Sequence, residues 1–171
     1  ALVDALELPD DELFPALDKV LDIDAFLRFM AAEVLVAHWD GYSGNRNNFF
    51  FYRNPTNNKF YFIPWGPDGT FISGRGPFVN AEFIPVTVWA RGYLARKMHE
   101  NPITQKRFQE HLRTLINDVW KTDEILAEIA AQEELISSKT LEANRDDFDE
   151  EMTRLKSFIQ SRPGELLEEL D

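Results

Sequence analysis

Two short aromatic runs stand in a chain that otherwise repeats with a helical period, and they constrain the fold most. "NNFFFY" (47–52) and "KFYFIP" (59–64) are separated by "RNPTNN" (53–58). Phe, Tyr and Ile favour strands, whereas Asn and Pro suit a turn, so the segment is predicted to be a β-hairpin. Upstream, in "DIDAFLRFMAAEVLVAHW", Ile23, Phe26, Leu27, Met30 and Val34 share one helical face, and Asp22 or Asp24 can cap the first turn. The hairpin is expected to pack its aromatic rings on this helix, using either Phe49 and Phe51 or Phe50 and Tyr52, because alternate residues face opposite sides. A shorter helix is predicted over "DDELFPALDKVL". After Pro85 the pattern is helical to the end, with breaks at "NP", "KTD", "SSKTLEAN" and "SRPG". The fold class that follows is mainly α with one small β-hairpin.

Composition sets the outer limits. A length of 171 residues suits a single domain, and 44% hydrophobic residues with 14 Phe are enough for a substantial core. The formal charge of −12 repels phosphate backbones and anionic lipid heads, so basic protein partners are favoured and nucleic acid is not expected. No apolar run approaches 18 residues, so no membrane span is expected. The absence of Cys excludes disulfides, thiolate metal sites and Cys nucleophiles.

Polar groups concentrate in one stretch, "AHWDGYSGNRNNFFFYRNPTNNKFYFIPWGPDGTF" (37–71). Asn45 follows Asp40 by five residues, the two strands come next, and Asp68 lies just beyond the second. Protein kinases order their site in the same way: H-R-D-x-x-x-x-N, strand, turn, strand, then the metal-binding Asp of D-F-G. A helix end and two strand ends are rigid mounts, so one carboxylate can meet a hydroxyl while another holds a cation. Several simpler readings apply to neighbouring residues. His38 is read as a packed or capping residue that holds the loop, and Trp39 and Trp65 as core. His99 and His111 have no second ligand at metal spacing, so zinc is not expected. Tyr42 and Gly44 occupy the places where a calcium loop needs oxygen donors. The acidic run "RDDFDEEM" is read as a solvated helix face. From Gly66 to Pro85, recurring Gly and Pro predict a long irregular loop.

"HWDGYSGNRNNFFFY" followed by "KFYFIPWGPDGTF" resembles the spore-coat CotH kinases, an atypical branch of the protein-kinase-like fold. The preceding helix and the closing "LKSFIQSRPGELLEEL", read as a terminal helix with an Arg-centred turn, resemble the same family, so the likeness runs from about residue 10 to the end. The resemblance implies a kinase-like C-lobe with Asp40 as the catalytic, proton-accepting acid. It makes Asn45 or Asn48 one metal ligand and Asp68 the other. It also implies magnesium and ATP as cofactors, a protein substrate, and a bacterial spore-surface, secreted or envelope setting. The family often reads P-W-D-x-D where this chain reads "PWGPD", with Gly66 in place of the first acid. Only 39 residues precede Asp40, without a Gly-rich loop, and Lys19 falls in a helical pattern. The chain, which begins with Ala, is therefore expected to be the C-terminal lobe of a longer phosphotransferase and inactive alone. The rival expectation is a degenerate kinase-like interaction module that uses the loop from Ser73 to Pro85.

Overall fold

The computed structural model describes residues 1–72 and 90–171. Seven helices and one hairpin occur among them: α1 (Leu2–Leu6), α2 (Asp10–Val20), α3 (Ile23–Leu35), β1 (Phe49–Arg53), β2 (Phe60–Pro64), α4 (Tyr93–Glu100), α5 (Pro102–Thr114), α6 (Thr122–Ser137) and α7 (Arg145–Leu170). A π-helical turn, Leu115–Val119, extends α5, and short 3₁₀ turns form at Pro67–Gly69 and Glu142–Asn144. The chain is thus mainly α with one two-stranded antiparallel sheet. Residues 73–85 of the expected long loop, and the start of the helix expected from residue 86, lie outside the described residues.

Helix α3 is the centre of the molecule. Asp22 caps it by accepting from the Ala25 amide at 2.9 Å. Phe26, Leu27, Met30 and Val34 are buried among side chains of α2, α4, α5 and α7. Full burial of side chains of this size contributes roughly 1.5–3 kcal/mol each. The helix stops at Leu35, earlier than the predicted apolar run, because Ala37 adopts a left-handed φ of 51°. Three carbonyls at this end find partners outside the helix. Arg162 of α7 donates to the carbonyls of Val34 and Leu35, the latter at 3.2 Å, and the Phe71 amide donates to Val36 O at 2.8 Å.

The hairpin register pairs Phe49 with Pro64, Phe51 with Phe62 and Arg53 with Phe60. Phe62 is its hub, with ring centroids 4.8 Å from both Phe26 and Tyr42 and 5.3 Å from Phe49. The set that includes Phe49 therefore faces α3, as alternation allows, but burial is shallower than the sequence suggests. Phe51 stacks on Phe60 at 4.3 Å and stays exposed, because two strands are too narrow to cover a face fully. On the opposite face Phe50, Tyr52 and Ile63 are exposed. Trp65, expected in the core, is 59% exposed and leans on Phe50 at 5.0 Å.

The break expected at "SRPG" does not occur, since α7 runs unbroken through Pro163. Proline lacks an N–H, which frees the Ile159 carbonyl four residues earlier. The Trp120 indole N–H, donating from outside the helix at 3.3 Å, takes that carbonyl. The residue expected to centre a turn, Arg162, is instead a buried helical residue under the end of α3. The acidic face of α7 from Asp146 to Glu151 points largely to solvent, as read. Asn101 separates α4 from α5 at the expected "NP" and accepts from the Ile103 amide at 2.9 Å.

Candidate functional site around Asp40

The turn between α3 and β1 is wound tightly. The amides of Asn45, Arg46 and Asn47 all point to the Gly41 carbonyl, at 3.0, 2.9 and 3.3 Å. Arg46 and Asn48 have left-handed φ values of 64° and 47°, and Ala37 lies just upstream. Non-Gly residues in this region cost of order 1–3 kcal/mol each and persist where the surroundings over-determine them.

Winding the turn sets three amide side chains around one acid. Asp40 Oδ1 accepts from Asn45 Nδ2 at 2.7 Å, while Oδ2 accepts from Asn48 Nδ2 at 2.7 Å and from Asn47 Nδ2 at 3.3 Å. A carboxylate can only accept, so these bonds dictate which way each amide points. Asn48 therefore turns its Oδ1 away from Asp40. That oxygen and Asp68 Oδ1 each lie 3.3 Å from where a Cβ on Gly66 would stand. Gly66 itself has φ 55°, a conformation that suits glycine. The missing side chain thus leaves a small space faced by one carboxylate oxygen and one amide oxygen, the hard donors that magnesium prefers. The Pro67–Gly69 turn carries Asp68 to this side, and the Trp65 amide donates to Asn48 O at 3.0 Å, which ties the end of β2 to the loop.

Asp40 is brought together with both asparagines that the sequence left open, and Asn48 and Asp68 each present an oxygen to the side of Gly66 that lacks a side chain. Asn47, which sequence reasoning passed over, joins the fence around Asp40. His38 holds the loop as expected. It is 2% exposed, and its Nε2 lies 3.2 Å from the Gly66 carbonyl. Burial pushes its pKa down, while the Gly66 carbonyl and the charges of Asp40 and Asp68 pull the other way. Trp39 is half-buried beside it. His111 binds Asp24 at 2.9 Å, a pairing remote in sequence from the loop. Among the described residues no cluster of three His, Cys, Asp or Glu side chains gathers at metal-binding distance. No described helix is long and apolar enough to cross a membrane.

Glu33 was also missed. It sits on α3, 2% exposed, and accepts from the Tyr42 amide at 2.8 Å and the Ser43 amide at 2.9 Å. Burial raises its pKa to about 7 against the pull of those donors. A signal existed in the sequence: Glu33 falls three residues after Met30, on the apolar face of the helix. An acid in such a place needs a buried partner.

Known proteins resemble this chain over most of its length. It is 34% identical to Invasin CotH2 of Rhizopus delemar over 129 residues, covering 69% of this chain and 22% of the relative. Invasin CotH7 of the same fungus is 30% identical over 138 residues, covering 78% of this chain and 23% of the relative. Spore coat protein homolog 1, also from Rhizopus delemar, is 26% identical over 138 residues. The chain spans less than a quarter of the length of these relatives, which are fungal rather than bacterial. The family model described as "CotH kinase protein" matches residues 1–166, which hold α3, the Asp40 turn, the hairpin and Arg162 alike. The match spans the helix, the acid-bearing turn, the hairpin and the second acid together, and the chain belongs to the CotH kinase family.

Proposed function

We propose that the full-length protein transfers the γ-phosphoryl group of ATP to Ser or Thr hydroxyls of protein substrates, with this chain supplying the C-terminal lobe. One observation carries the reading: the amide fence that aims Asp40 also turns Asn48 Oδ1 to the same small space as Asp68 Oδ1. Asp40 would accept the proton of the substrate hydroxyl, held in one orientation by Asn45, Asn47 and Asn48. Asn48 and Asp68 would hold magnesium, which when bound neutralises charge on the phosphate oxygens. Asn45, at the kinase spacing, serves Asp40 in this arrangement. The net charge of −12 favours a basic protein substrate.

Phosphoryl transfer depends on positioning and charge neutralisation, and kinases grip ATP from two sides. Lys19 is an exposed residue of α2 and offers no second grip. The isolated chain is therefore expected to be inactive. The deciding experiment is phosphorylation by the full-length protein with magnesium and ATP, with Asp40→Ala as control. Transfer that disappears in the variant supports the reading. Absence of transfer by a folded full-length protein, or transfer that survives Asp40→Ala, refutes it.

A second reading is a degenerate kinase-like interaction module of the cell envelope or spore surface. It is favoured by Gly66 in place of an acid and by the exposed aromatic face of Phe50, Ile63 and Trp65. The relatives' names, invasin and spore coat protein, suit such a role. The Ser73–Pro85 loop, the partner surface expected from the sequence, lies outside the described residues.

A further inference from the structure

We infer that Glu33 is a positioning residue for Asp40, holding the whole turn from Gly41 to Asn48 in its working shape through the amides of Tyr42 and Ser43. This inference rests on the phosphotransfer reading above. Both carboxylate oxygens are engaged, one per amide, at 2.8 and 2.9 Å. The fit is built into the backbone, because a Cβ on Gly41 would stand 2.2 Å from Glu33 Oε1 and 2.8 Å from His38 Nδ1. Gly41 is in turn the residue whose carbonyl gathers the amides of Asn45, Arg46 and Asn47. Those residues begin the stretch whose Asn side chains fence Asp40. A path of direct contacts therefore runs from α3 through Glu33 to the fence. Glu33 touches none of the groups proposed to bind substrate or metal, so it acts through the turn.

Apolar packing does not account for this acid. A carboxylate 2% exposed is costly to bury, and the neighbouring base, His38 at 3.9 Å, is itself driven toward its neutral form by burial. The Tyr42 phenol has no cationic form, so it offers no positive charge either. An apolar residue of equal size would avoid that cost but would leave the Tyr42 and Ser43 amides without this acceptor. What a carboxylate alone provides is two acceptors for two adjacent N–H groups. Glutamine presents one oxygen and one NH₂, and the NH₂ would face an amide donor.

The test compares full-length wild type, Glu33→Gln and Asp40→Ala, with a thermal melt to verify folding and two further readouts. The first is steady-state phosphorylation. Glu33→Gln is expected to lower kcat by about tenfold or more while the KM for ATP stays within about twofold, as misplacement of a reacting group produces. The second is backbone hydrogen exchange resolved to single residues across 41–48. In Glu33→Gln, exchange is expected to accelerate about tenfold at Asn45, Arg46 and Asn47 as well as at Tyr42 and Ser43. Unchanged kcat in a folded Glu33→Gln protein overturns the inference. So does acceleration confined to Tyr42 and Ser43, which would leave Glu33 a local prop. If the wild type transfers no phosphate, the functional reading fails separately, and exchange at 45–47 alone decides whether Glu33 shapes the turn.

Discussion

Pro163 sits inside α7, and the cost of placing it there is expected to fall on Trp120. The Ile159 carbonyl, which the proline nitrogen cannot serve, receives the indole N–H at 3.3 Å. Trp120 is 8% exposed, so Trp120→Phe would leave that carbonyl buried without a donor. An orphaned buried acceptor costs about 1–3 kcal/mol, and the length of this bond argues for the lower end, about 1 kcal/mol. Losing part of the ring's packing adds about 1 kcal/mol more. In a Pro163→Ala background, the new Ala N–H bonds Ile159 O within the helix, so the first part vanishes. Trp120→Phe should then cost about half as much, which gives a coupling of about 1 kcal/mol between two residues that meet through one carbonyl. Pro163→Ala alone should stabilise, because proline within a helix is disfavoured by up to about 3 kcal/mol, less about 0.4–1 kcal/mol of lost unfolded-state restriction. Urea unfolding of the four proteins followed by far-UV circular dichroism measures all these differences. Equal cost of Trp120→Phe in both backgrounds, with coupling below about 0.3 kcal/mol, would refute the account of how α7 continues. The point bears on the site, since α7 brings Arg162 to the carbonyls at the end of α3.

Other outcomes follow from the same geometry. Glu33 has a folded pKa of about 7, raised from 4.5, so its contribution to stability is complete below pH 4.5 and is lost as pH rises through 7. The loss is roughly 3 kcal/mol, and His38, with a pKa lowered by burial, opposes it. The difference between wild-type and Glu33→Gln stability curves isolates the Glu33 part, and parallel curves from pH 4.5 to 8 would contradict it. Asp40→Ala should cost under about 1 kcal/mol, because its partners Asn45 and Asn47 are exposed and can turn to water, whereas Phe26→Ala should cost about 3–5 kcal/mol. Denaturant melts showing equal damage would make Asp40 a structural acid. Gly66→Asp would place a third oxygen donor beside Asn48 and Asp68, at about 1 kcal/mol of left-handed backbone strain. Calorimetry should find magnesium bound about tenfold more tightly, and unchanged affinity would mean that this space is not a cation site.

What the sequence determined about this protein is local. The period of Ile23, Phe26, Met30 and Val34 specified α3, Asp22 its cap, and the Asn- and Pro-rich turn the hairpin. Asp40, the nearby asparagines and Asp68 stood out because polar residues cluster there at a spacing that regular elements do not need. Only the tertiary structure decided where these elements end and which side chains meet. Helix α3 ends at Leu35, where Ala37 turns left-handed, and Arg162, more than a hundred residues away in the chain, and Phe71 take the terminal carbonyls. A helix runs through Pro163 because Trp120 supplies the donor that proline lacks. Asn48 and Asp68 both turn an oxygen toward Gly66 because that residue has no side chain to fill the space, and Trp65 stays exposed because two strands cannot cover it. Propensity and period act between near neighbours, so the sequence shows them directly. A freed carbonyl or a buried acid is satisfied by whatever the fold brings within hydrogen-bonding reach, and that partner is set by packing in three dimensions.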